Sequence, residues 1–138
     1  MPRSPIRTLL QLSGLILIGA GAAHVVLGVH ADVLLGAGVS AQSITDAGHD
    51  SQNRFYGAMF SVCGALLILF SRDLHRYAPA AGMLLVGITL AGLSRITSVV
   101  LFGWPPPLVL GLGVLEVVLP PAMLLWLNGT LKEAPTDG

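Results

Sequence analysis

A chain of 138 residues is long enough for one domain and too short for several. More than half of it is apolar and only a tenth is charged, which excludes an ordinary soluble domain of this size and makes a membrane protein the first reading. Seven basic residues balance seven acidic ones, so no electrostatic footprint for nucleic acid exists.

The first apolar segment runs from about Thr8 to Val29, long enough to cross the hydrocarbon. Arg3 and Arg7 resemble the basic start of a signal peptide. The apolar run exceeds a typical signal core, however, and continues through Val25, Val26 and Leu27, so a retained helix is expected. His30 to Gln52 is a polar, glycine-containing connection whose middle, Ala31 to Ile44, suits a short interfacial helix. Asp50 or Ser51 then reads as the cap of a second span, from about Asn53 to Phe70. Cys63, the single cysteine, sits there as a small hydrophobe.

Ser71 to Arg76 is a short charged turn. A third span follows from Tyr77 to about Phe102. Trp104, Pro105, Pro106 and Pro107 make a stiff turn at a membrane interface. The fourth span covers about Leu108 to Leu127, and a polar, frayed tail runs from Asn128 to Gly138. The spans are thus about 8–29, 53–70, 77–102 and 108–127 within one membrane domain, residues 1–138. Arg3, Arg7, Arg72, Arg76 and Lys132 fall on one side, whereas Asp32, Asp46 and Asp50 fall on the other. The positive-inside rule places both termini in the cytoplasm and the long first loop outside.

Each span carries a residue that lipid tolerates poorly, at ~2.5–3.5 kcal/mol for a charged group on insertion scales. These are His24, Arg54, Arg95 and Glu116. At ~1.5 Å rise per residue, His24, Arg95 and Glu116 share a layer roughly 8–12 Å below the outer surface. Arg54 stands at the outer mouth beside Asn53 and Tyr56, a polar group able to bind an anion. Small residues share helical faces with the polar ones: Gly14, Gly21 and Gly28 with His24, and Gly57, Ser61 and Gly64 with Arg54. Ala91 and Ser98 align with Arg95, and Gly113 and Pro120 with Glu116. Small residues in membrane helices mark close helix contact, so these faces are expected to point to the bundle centre. Pro120 should free the Glu116 carbonyl, and Arg95 has donors enough for that carbonyl as well as the carboxylate.

Two chemistries suit this set. Arg95 with Glu116 can be an ion pair that fixes helix register. Alternatively, Glu116 and His24 are candidate catalytic groups for acid–base chemistry, with Arg54, Arg95, Asn53 and Tyr56 as candidate binding residues. No metal-ligand spacing joins His24, His30, His49 and Glu116, so no metal or cofactor is expected. Gly111-Leu112-Gly113 lacks the strand a dinucleotide loop needs, and no serine or cysteine nucleophile motif appears.

His24 late in the first helix, Asn53-Arg54-Phe55-Tyr56-Gly57 opening the second, Gly92-Leu93-Ser94-Arg95 in the third and Leu115-Glu116 in the fourth form a pattern. This pattern resembles the bacterial family labelled domain of unknown function 4345, small four-helix membrane proteins, from about Leu10 to Leu127. The resemblance implies a fold and a bacterial inner-membrane location, and no activity. The architecture also looks like that of DoxX-type membrane proteins, an analogy of fold alone.

The reading is an all-α, integral membrane four-helix bundle, multi-pass in the cell membrane, with a polar pocket in its outer half. Its expected partners are membrane lipid and a lipophilic small molecule. A second copy of the chain or a membrane partner protein is a further option. The functional alternatives are a binding protein, an enzyme acting on a lipid, terpenoid or quinone-like substrate through Glu116 and His24, and a structural subunit locked by Arg95–Glu116.

Overall fold

Apolar runs of about twenty residues become helices in lipid because a helix satisfies its own backbone there. A computed structural model describes residues 5–133 of the chain. The elements are α1 (Pro5–Leu27), α2 (His30–Leu34), α3 (Ala41–Ile44), α4 (Ala47–Phe70), α5 (Leu74–Phe102) and α6 (Pro107–Glu133). Among the described residues the fold is all-helical, and α1, α4, α5 and α6 are each long and apolar enough to cross a membrane. Arg3 and the tail 134–138 lie outside the described residues.

Local chemistry explains where the helix ends depart from the sequence reading. The α4 cap is Asp46, whose side chain accepts from the His49 N–H at 2.8 Å, so the helix starts before Asp50 and Ser51. Asp50 is thereby free for a different task. The connection after α1 does not hold a single helix. Gly36 and Gly38 have φ of +73° and +71°, which interrupts it between α2 and α3. Pro107 is the first residue of α6 rather than the last of the turn, a position where its missing N–H costs nothing. The helix continues through Pro120 and Pro121 to Glu133, so residues 128–133 extend it.

The long helices pack as two antiparallel hairpins, α1 with α4 and α5 with α6. In the first, Gly14 meets Gly64 and Gly21 meets Gly57, opposite orders along the chain. A Cβ on Gly57 would stand 2.6 Å from the Gly21 carbonyl oxygen, so backbone packs on backbone along this seam. In the second, Gly92 lies against Glu116, and a Cβ there would stand 2.8 Å from the Glu116 Cβ. The small faces thus line a seam within each hairpin. They do not converge on one common centre, as the sequence pattern suggested.

The hairpins join through an apolar core of Ile6, Leu10, Leu67, Phe70, Leu74, Ala81, Leu85, Met123 and Leu127. All of these sit in the half of the bundle that holds the start of α1, the α4–α5 turn and the end of α6. We call this the termini end, and the opposite end the loop end. Within the most apolar stretch of each long helix only 11–22% of residues are buried by the chain itself. Most of the helical surface is therefore left for lipid.

The seam gives a direct test. Gly57→Val should lower thermal stability in detergent by ~1–3 kcal/mol, the usual cost of overpacking. Gly19→Val should change it little, because a Cβ at Gly19 meets nothing within 4 Å. Equal melting of the two variants would refute the close α1–α4 approach.

Candidate functional site

The polar residues of the spans settle into two groups, one per hairpin. At the end of α1 the last carbonyls have no helical partners, a general problem for a helix ending in a low-dielectric medium. Gly28, with φ of +59°, turns the chain there, and its N–H donates to the His24 carbonyl at 2.8 Å. Arg54 Nη1 reaches across from α4 and donates to the carbonyls of Val25 at 2.8 Å and Val26 at 3.1 Å. Asp50, one turn before Arg54, holds the guanidinium: Nε donates to Oδ2 at 2.7 Å and Nη2 to Oδ1 at 3.4 Å. The Val29 N–H donates to Asp50 Oδ1 at 3.2 Å. Arg54 and Asp50 together fasten the end of α1 to α4.

His24 belongs to the same hairpin and is buried. Its Nδ1–H donates to the Ala20 carbonyl at 2.8 Å, and its Nε2 lies 3.2 Å from Asp32 Oδ1. The second contact needs one proton between the imidazole and the carboxylate. Asp32 reaches this position because the Gly28 turn folds α2 back beneath the end of α1. Neither Asp32 nor Asp50 appeared in the sequence reading as a partner. The i,i+4 spacing of Asp50 and Arg54 was the available signal for one of them.

The second group is the bidentate pair of α5 and α6. Arg95 Nε donates to Glu116 Oε2 at 2.6 Å, and Nη2 donates to Oε1 at 2.9 Å. This is the fork geometry that makes arginine–carboxylate pairs strong and directional. The sequence reading paired these residues, but it also sent Arg95 to a carbonyl freed by Pro120. Among the described residues Arg95 donates only to the carboxylate, because both fork positions face it squarely. Glu116 and His24 thus have separate partners on separate hairpins, and among the described residues no hydrogen bond or ion pair joins them.

Asn53 and Tyr56 stand near Arg54 in sequence but not in its network. Asn53 Nδ2 is buried and has no partner among the described residues. The Tyr56 ring is half-exposed and packs edge-on against Phe55, at 5.9 Å between centroids and 63° between planes.

Beside Arg95 lies a cavity of about 620 Å³ between α5, α6 and the turn that joins them. Its volume falls within the ~300–1,000 Å³ of small-molecule sites. The walls are mostly apolar, with Ile96, Val99, Phe102, Val109 and Val117 among them, and Trp104 stands at the rim. Arg95 and Ser98 line it, and the Trp104 indole adds one further N–H donor among the lining residues. Glu116 is outside the lining, and its carboxylate accepts from Nε and Nη2 of Arg95. The sequence reading expected a polar pocket in this half of the bundle; the walls of this cavity are mostly apolar, and of the candidate binding residues Arg95 alone lines it.

The Arg54 clasp yields a prediction. Arg54→Ala should destabilise the protein by about 1–2 kcal/mol, as expected for a cation at a partly covered helix C-terminus. Arg54→Lys should recover only part of that, since an ammonium cannot serve two carbonyls and Asp50 at once. Full recovery in a detergent melt would show that charge alone matters there.

No curated protein and no solved structure matches this chain. A family model does, over residues 5–127, a stretch that includes both polar groups and the cavity. With four membrane-length helices and this match over most of its length, the chain belongs to the family described as Domain of unknown function (DUF4345).

Proposed function

We propose that this protein is a multi-pass cell-membrane protein that binds a lipophilic small molecule in the cavity between α5 and α6. The single observation that carries this reading is a mostly apolar cavity of about 620 Å³ with Arg95 in its wall. An apolar pocket with a few convergent polar groups is the default form of a ligand site. Basic residues Arg7, Arg72, Arg76 and Lys132 cluster toward the termini end. By the positive-inside rule that end faces the cytoplasm, which puts the cavity in the outer half of the membrane.

A structural role for Arg95–Glu116 stands beside this reading, favoured by the bidentate contacts at 2.6 and 2.9 Å. The pair joins α5 to α6 and so shapes the cavity that the ligand would enter. Acid–base catalysis by Glu116 and His24 has less support. Both Glu116 oxygens accept from Arg95, and His24 is held by Asp32 on the other hairpin.

The two roles separate by mutation. Glu116→Leu alone should cost about 3 kcal/mol, the lower end of the range for a broken buried pair, since neither side chain is fully covered. Arg95→Met with Glu116→Leu should restore most of that, because an apolar pair leaves no stranded charge. The double variant should nevertheless lose the ligand. Native mass spectrometry from mild detergent, with lipid extraction, is expected to find a stoichiometric hydrophobic molecule on the unmodified protein. It should be absent from the double variant and from the cavity-filling Val114→Phe. Retention of the molecule by Val114→Phe would place binding elsewhere.

A further inference from the structure

The electrostatics of the cavity restrict what its ligand can be. A guanidinium has five N–H donors, and Glu116 takes one from Nε and one from Nη2. Among the described residues Nη1 has no partner, and it lies on the edge of the guanidinium turned away from the carboxylate. Ser98, one turn further along α5, adds a hydroxyl to the residues that line the cavity. The cavity thus offers donors from Arg95 and Ser98, and no carboxylate lines it.

Donors alone would suit an anion, but the charge is already balanced. Glu116 neutralises Arg95 across two short hydrogen bonds, so the pair carries no net charge. An anionic head group beside it would leave one unmatched negative charge in a low-dielectric medium, close to a carboxylate that repels it. A neutral carbonyl oxygen avoids that. It accepts a charge-assisted bond from Nη1 and a second from Ser98, and asks for no counter-charge. The rest of such a molecule, if aliphatic or aromatic, matches walls built from Ile96, Val99, Phe102 and Val109.

Resting on the pocket reading above, we infer that the cavity selects a neutral, carbonyl-headed lipophile, of the ketone, ester or quinone type, over an anionic amphiphile of the same length. Arg95 Nη1 and Ser98 Oγ bind the carbonyl oxygen, and Glu116 sets the charge preference without touching the ligand.

Trp104 at the cavity rim supplies the readout. In a Trp126→Phe background it is the sole tryptophan, and a brominated ligand in the cavity quenches it. The probes are a chain-brominated long-chain methyl ketone and the alkanesulfonate of equal length, an anion at any working pH. The ketone should quench with an affinity at least roughly tenfold higher. Glu116→Gln, which leaves Arg95 as an unmatched cation, should reverse the order in favour of the sulfonate. Should that variant not fold, the comparison on the unmodified Glu116 protein still decides. Equal or tighter binding of the sulfonate there overturns the head-group assignment and leaves the pocket standing. Absence of quenching by either probe overturns the pocket itself.

Discussion

The pair between Arg95 and Glu116 sets the geometry of α5 against α6, and the reason is dielectric. In water such a pair contributes little, because solvent screens it and mobile side chains lose entropy on pairing. Beside hydrocarbon neither group has another partner of comparable strength, so both are held in the fork. Gly92 makes this possible. A side chain at that position would strike the Glu116 Cβ, and the helices would stand too far apart for contacts of 2.6 and 2.9 Å. The small residue fixes the approach, and the charges fix the register.

The same rule acts on the other hairpin with different parts. The charged groups there sit at a helix end, where the partner of Arg54 is backbone as much as Asp50. Each ion pair lies within one hairpin, so no ion pair joins the two at the loop end among the described residues. The apolar core that joins them lies at the termini end. The cavity then forms between α5 and α6 beyond Gly92, where the chain turns through Gly103, Trp104 and Pro105 toward the start of α6. Gly103, at φ of +88°, permits that turn, and the following prolines keep it wide.

Much of this was legible in the sequence because membranes impose simple rules. Span length follows from bilayer thickness, so the four long helices were found to within a few residues of their ends, the start of α4 and the end of α6 excepted. The Arg95–Glu116 pairing followed from depth and helical spacing. What escaped depended on loops and on distances between elements. Asp32 is a loop residue until Gly28 reverses the chain and brings it under His24. Asp50 looked like a cap because aspartate before an apolar run usually is one, yet Asp46 had already taken that place. The expectation of one shared polar centre failed for a related reason. Equal depth does not imply contact when the helices meet two by two.

A comparison of the two arginines shows why the candidate site lies where it does. Both stand in membrane-length helices and both hold a carboxylate through Nε and Nη2. They differ at Nη1. In Arg54 that nitrogen bonds the carbonyls of Val25 and Val26, so the side chain is committed to the fold. In Arg95 the same nitrogen meets no acceptor among the described residues, and the residue lines a cavity instead of a helix end. A donor of that strength beside lipid is stable only if something accepts from it, since unpaired polar groups there are costly. On the reading proposed above, a carbonyl that arrives with its own apolar chain would supply the acceptor and fill the cavity in one step.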